Sequence, residues 1–297
     1  MESRRAALGA EPGREVEIDG VRLAYDDEGS GPALLCLHAV GHGARDYESF
    51  RARYRRRFRV VALDFPGHGR SSPDRHPASA ERYAALLPRF LDAVGVDRAI
   101  VVGNSIGGAA ALRLAAEHPS RVRALVVANP GGLFQRSFVS RASARLLARI
   151  FGAGARGAGW FSRLFAFYYA RILTEAPAFA QRARIVAAAS ESAPVLEEAW
   201  RSFAAPSSDL RDRAPSVVAP VMVAWALRDP LNRLSFNRAG IARLPNATLE
   251  TFFAGHSPFL ETPREFDQAF ERFLARVLDE RELSSEPAST PDATAST

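Results

Sequence analysis

The run Val101-Val102-Gly103-Asn104-Ser105-Ile106-Gly107-Gly108-Ala109 constrains the fold of this chain more than any other stretch. An apolar β-rich segment ends in G-x-S-x-G and passes at once into an alanine-rich segment, so a strand, a sharp turn and a helix must follow one another directly. A Cβ at position 103 or 107 would collide across such a turn, and the two glycines remove both clashes. Gly108 and Ala109 keep the first helical turn thin. Ser105 then projects its hydroxyl above the strand end, where the free N–H groups of the helix N-terminus favour negative charge. Alone, the pentapeptide is common in loops; the flanking strand and helix give it meaning.

The rest of the chain repeats the alternation. Residues 14–18 and 21–26 flank Asp19-Gly20, a pair suited to a type I′ hairpin turn. Apolar runs at 33–37, 58–63, 99–102, 122–128, 217–227 and 248–253 read as six further strands, too short for helices and apolar throughout, as central parallel strands are. Helical spacing appears over 81–94, with Pro88 inside it, and in a last helix opening with Thr262-Pro263-Arg264-Glu265, a capping box with Pro at its first position. That helix is expected to bury Phe266, Phe270, Phe273, Leu274, Val277 and Leu278. From 134 to 205 the strands stop and the pattern is helical, with Phe161, Leu164, Phe165, Tyr168, Tyr169 and Ile172 on one face.

The expected architecture is an α/β fold: a mostly parallel, eight-stranded sheet covered on both faces, with an inserted helical cap. The core is expected over 14–133 and 206–281 and the cap over 134–205, with a polar N-terminus (1–13) and a Ser, Thr, Pro and Ala tail (282–297) disordered.

Charge and cysteine usage narrow the function. Every basic residue is Arg, and the net charge of +6 is matched by the segment 134–205 alone, with ten Arg against four Glu. No nucleic-acid-binding motif accompanies that excess, so it reads as composition bias with at most a weak pull toward acidic substrates or anionic lipid. The lone Cys36 lies in an apolar strand and rules out a disulfide framework or a cysteine metal site. No metal and no cofactor are expected. The first thirteen residues lack an apolar signal core and no uncharged run reaches a membrane span, so a cytoplasmic protein without a transmembrane segment is expected.

In parallel sheets chemistry collects at the carboxyl ends of the strands, and His38, Asp64, Ser105 and Asn129 all fall there. A serine hydroxyl needs a base to take its proton, and the base needs a carboxylate to fix its tautomer. His256, in Gly255-His256-Ser257-Pro258, follows one late strand; Asp229 follows the strand before it. Asp64 is the alternative acid. His38 and His68 are read as ordering their loops, and His118 as capping a helix. Two N–H donors are needed for an oxyanion. Ile106 supplies one from the helix start, and Val40 is the expected second, with Gly41 as the alternative.

These motifs resemble the α/β-hydrolase superfamily: His38-Ala39-Val40, Asp64-Phe65-Pro66-Gly67-His68-Gly69, Gly103 to Gly108, Trp225 to Asp229 and Gly255-His256, in this order. Ala39 replaces the glycine usual after that histidine. The resemblance implies a serine hydrolase with a helical cap, acting on a small-molecule carboxylic ester or lactone through an acyl-enzyme, with Ser105, Asp229 and His256 catalytic. Relatives that open haloalkanes or epoxides attack with a carboxylate where this chain has Ser105. Relatives that cleave carbon-carbon bonds of vinylogous acids carry tryptophan after the histidine, where this chain has Ser257. Such cleavage, cofactor-free perhydrolysis and a non-catalytic small-molecule receptor remain the alternatives. The stripe Phe161, Phe165, Tyr168 and Tyr169 either packs the cap on the core or roofs a substrate pocket for apolar acyl groups.

Overall fold

A computed structural model describes residues 13–278. The expectations for the two termini therefore lie outside the described residues, apart from Gly13. Eight strands form one sheet: β1 (Arg14–Ile18), β2 (Val21–Glu28), β3 (Ala33–Leu37), β4 (Arg59–Leu63), β5 (Ala99–Asn104), β6 (Val122–Ala128), β7 (Val221–Ala226) and β8 (Ala247–Phe252). Their spatial order is β1-β2-β4-β3-β5-β6-β7-β8. β2 runs antiparallel to β1 and β4, and every other pairing is parallel. Asp19 and Gly20 have φ of 54° and 76°, the two left-handed residues that a type I′ hairpin demands.

The apolar runs are explained by burial on both faces. Leu34, Cys36, Val60, Ala62, Ile100 and Val102 face one side, against helices α1 (Glu48–Tyr54) and α10 (Pro263–Val277) through Phe50, Tyr54, Phe266 and Phe270. Their chain neighbours Leu35, Leu37, Val61, Leu63 and Val101 face the other, against α2 (Ala80–Ala93) and α3 (Ile106–Glu117). Successive side chains of a strand point to opposite faces, so both must be apolar when both are covered. Each fully buried Phe or Leu stabilises the fold by about 1.5–3 kcal/mol.

Between β6 and β7 the chain forms α4 (Phe138–Ala155), α5 (Phe161–Ile172), α6 (Phe179–Ala187) and α7 (Ala189–Phe203). Polar contacts tie this insertion to loops at the strand ends: Ala78 N–H donates to Glu198 (2.9 Å), Arg228 pairs with Glu175 (2.8 Å), and the Gln181 side-chain amide donates to Asp46. Two shorter helices, α8 (Leu234–Ile241) and α9 (Pro258–Glu261), follow β7 and β8.

Three local expectations are corrected. β7 starts at Val221 rather than 217, because Pro220 has no N–H to give to a ladder. The capping box before α10 does not form: Thr262 donates its hydroxyl to Pro258 O (3.1 Å) instead of accepting from the helix. Leu164 leaves the buried face of α5 and is exposed, while Phe161, Phe165, Tyr169 and Ile172 are buried.

Candidate active site

Ser105 sits between β5 and α3 with φ 54° and ψ −114°, a conformation that L residues avoid. The glycines around it permit the turn. A Cβ at Gly103 would lie 2.6 Å from Gly107 O, and one at Gly107 would lie 2.4 Å from Leu37 O. Ser105 N–H donates to Ala128 O (2.9 Å) and its carbonyl receives Ala109 N–H (3.0 Å), so the strained residue is held from both sides.

Asp229 and His256 meet across 27 residues of chain. The His256 Nδ1–H donates to Asp229 Oδ2 at 2.6 Å, which leaves Nε2 with its lone pair free. Three further donors face the carboxylate: Asn129 Nδ2 at 2.6 Å on Oδ2, and the N–H groups of Leu231 (2.7 Å) and Asn232 (3.1 Å) on Oδ1. Burial works against a charged His256, but the Asp229 charge, its hydrogen bond and the Glu261 charge outweigh it and hold the imidazole above its ordinary pKa.

Asn104, next to Ser105, connects the two halves. Its side-chain amide donates to His256 O (3.3 Å) and to Ala128 O (3.0 Å), and its Oδ1 accepts from the Ser257 hydroxyl (2.8 Å). The histidine loop is thereby fastened to the end of β5.

The loop after β3 is fixed by two neutral imidazoles. His38 Nε2 accepts from Phe65 N–H (2.9 Å) while its Nδ1–H donates to Ala39 O (2.7 Å). His68 Nε2 accepts from Gly41 N–H (3.0 Å) while its Nδ1–H donates to Pro66 O (3.0 Å). Burial lowers their pKa values to about 4 and about 3, which keeps both acceptor nitrogens unprotonated. Gly41 is thus removed as an oxyanion donor, since its N–H is already engaged. Val40 N–H has no partner among the described residues, and Ile106, the first residue of α3, has none within its helix. Asp64 is also engaged: it accepts from Ala44 N–H (2.7 Å) and from Arg70 N–H (3.2 Å) and Nε (3.0 Å).

Glu261, at the end of α9, is a buried carboxylate that sequence reasoning missed. Its Oε1 accepts from the N–H groups of His256 (2.7 Å) and Ser257 (2.9 Å), and its Oε2 from those of Gly255 (2.9 Å) and Thr174 (2.8 Å). One side chain therefore holds the histidine loop and the end of α5 together. A second missed group is the buried pair His42 Nδ1 with Asp46 Oδ2, 2.5 Å apart, whose i, i+4 spacing was the available signal.

The aromatic stripe divides. Phe161, Phe165 and Tyr168 line an apolar cavity of about 280 Å³ between α4 and α5, to which Pro230 and Leu231, directly after Asp229, also contribute. Tyr169 instead lies over the loop after β3, its ring centroid 5.7 Å from that of His42 and its hydroxyl 2.9 Å from where a Gly41 Cβ would sit. Neither Ser105 nor His256 lines the cavity.

The sheet order and the strand-serine-helix turn at its centre define an α/β-hydrolase fold. A family model described as the alpha/beta hydrolase family matches residues 34–269, and the chain belongs to that family. An uncharacterised protein of Mycobacterium tuberculosis is 26% identical over 286 residues, covering 86% of this chain and 79% of its own. A hydrolase from Pseudomonas aeruginosa superposes with a TM-score of 0.75 at 26% identity, covering 90% of this chain and 99% of its own. Est816, described as an N-acyl homoserine lactone degrading enzyme, superposes with a TM-score of 0.70 at 25% identity, covering 88% of this chain and all of its own.

Proposed function

We propose that this hydrolase cleaves carboxylic esters or lactones through an acyl-enzyme, with Ser105 as nucleophile, His256 as base and Asp229 as the acid that orients it. The observation that carries the reading is the 2.6 Å bond from His256 Nδ1 to Asp229, on a loop fastened to the residue beside Ser105. Nε2 takes the Ser105 proton as Oγ attacks the carbonyl carbon, and the oxyanion accepts from Val40 N–H and Ile106 N–H. Collapse breaks the bond to the leaving oxygen, which takes the proton back from Nε2. A water then gives a proton to Nε2 as its oxygen attacks the acyl carbon; the acyl–Oγ bond breaks, Ser105 Oγ takes that proton back from Nε2, and the carboxylic acid is released.

The segment 134–205 acts as a cap, and its cavity, lined by Phe161, Phe165 and Tyr168, takes the acyl chain. The lactone substrate of Est816 supports including cyclic esters. The test is a panel of alkyl esters, acyl homoserine lactones and a vinylogous diketone, assayed with the parent protein and Ser105→Ala. Ester or lactone turnover that the variant loses is expected. Turnover of the diketone alone, or of nothing, would overturn the reading.

A further inference from the structure

Residues 134–171 carry seven arginines and no aspartate or glutamate. Arg136, Arg141, Arg145, Arg149, Arg156, Arg163 and Arg171 all lie there, and among the described residues none of them is within 4.0 Å of a carboxylate. On α4, Arg141, Arg145 and Arg149 repeat at i, i+4 and i+8 on the exposed side, a spacing at which like charges repel. Among the described residues no ion pair offsets that repulsion. Large apolar side chains are interleaved with these charges: Phe138 is 75% exposed, Leu146 58%, Trp160 50% and Phe167 57%. Trp160, at the N-cap of α5, and Arg163, Leu164, Phe167 and Arg171 within it fall on one helical face, opposite the buried Phe161, Phe165 and Ile172. The Arg171 guanidinium lies 3.7 Å from the Phe167 ring centroid, pairing cation and aromatic on the surface.

We propose that the outer faces of α4 and α5 dock on an anionic lipid surface. The arginines would meet headgroup phosphates while Phe138, Leu146, Trp160 and Phe167 enter the boundary between headgroups and acyl chains. A nucleic acid would satisfy the same charges yet leave those apolar groups in water, and lipid is the partner that accounts for both. Attachment is peripheral, because no helix among the described residues is long and apolar enough to cross a membrane. Leu164, Phe167 and Arg171 belong both to this face and to the lining of the α4–α5 cavity, so the cavity adjoins the docked surface. The proposal does not depend on which bond the site cleaves.

The test is co-sedimentation of the full chain with phosphatidylglycerol-containing and with pure phosphatidylcholine vesicles, together with tryptophan emission. Trp160 is the exposed tryptophan; Trp225 is buried and Trp200 half-buried. The expected result is binding to the anionic vesicles only, weakened by salt, with a blue shift that Trp160→Phe abolishes. Replacing Arg141, Arg145 and Arg149 by Ser should weaken binding by about fivefold each, roughly 10²-fold together. Phe138→Ser with Leu146→Ser should also weaken it, with ester turnover and circular dichroism unchanged in both sets. Equal binding to both vesicles, no binding to either, or binding to duplex DNA and anionic vesicles alike without a blue shift would overturn the proposal.

Discussion

The strand-end loops and the helices inserted above them use their polar groups in opposite ways. In the sheet domain, a set of paired arginines fixes loops: Arg51 bridges Asp26 (2.7 Å) and Glu28 (3.1 Å), Arg59 clamps Asp27 (2.8 Å), and Arg70 joins Asp26 (2.7 Å) to Asp64 (3.0 Å). In the helices α4 and α5 the arginines pair with no carboxylate among the described residues, and exposed apolar side chains lie between them. Around Ser105 the carboxylates of Asp64, Asp229 and Glu261 and the rings of His38 and His68 are hydrogen-bonded, while the Val40 N–H has no partner among the described residues and His256 Nε2 keeps its lone pair. Converging polar groups suit a reaction centre, whereas outward-facing cations and rings suit contact with chains or surfaces.

The sharpest way to break that division is at the convergent site. Ser105→Ala and Asp229→Asn should each lower kcat/KM by about 10⁴ or more with the thermal midpoint nearly unchanged. In the parent protein the acid limb of the rate profile should fall with a pKa above that of a free imidazole, since His256 must be neutral to act and its pKa is raised. Without the Asp229 charge, burial dominates and that limb should move to lower pH.

Next in size is Glu261→Ala, which leaves the buried N–H groups of Gly255, His256, Ser257 and Thr174 without an acceptor. Urea unfolding should show a loss of roughly 3–5 kcal/mol, with kcat reduced as the histidine loop loosens. A stability equal to that of the parent would mean that the loop and α5 are not joined through this carboxylate.

Acid should loosen the strand-end loops as well. His38 and His68 bind no proton until far below the ordinary imidazole range, whereas the unfolded chain protonates both near pH 6.5. Their contribution is complete above that value and is lost as pH falls toward 4 and 3. Near pH 5 the two together should give a slope of about 2–3 kcal/mol per pH unit in unfolding free energy. His68→Gln should flatten that slope.

The smallest effect belongs to the helical region. Filling the cavity with Ile150→Phe should lower kcat/KM for long acyl esters by about tenfold and leave acetyl esters unchanged, given about 0.8 kcal/mol per buried methylene. Equal losses for both substrates would detach the cavity from acyl recognition.

The sequence made the sheet legible because each parallel strand is apolar on both faces, and the glycine spacing around Ser105 marked the turn without any tertiary information. The partners of the site were harder to read. Asn129 stands out in the sequence only as a residue at a strand end, yet it holds Asp229 from 100 residues away, and no local pattern announces such a bond. Glu261 looked like an ordinary residue before a helix. Gly41 was a reasonable oxyanion donor until His68 claimed its N–H, a contact between two separate loops. What escaped were long-range hydrogen bonds between polar residues, which leave no periodicity in a chain. The split of the aromatic stripe, Tyr169 over the β3 loop and Tyr168 on the cavity, likewise depends on how α5 settles on the sheet.

The most direct measurement is intact mass after exposure to a fluorophosphonate, followed by mapping of the modified peptide. If an activated hydroxyl stands at the end of β5, the parent protein gains one adduct on Ser105, while His256→Ala gains it far more slowly and Ser105→Ala not at all. An adduct on another residue, or a Ser105 that reacts equally fast without His256, would contradict the account.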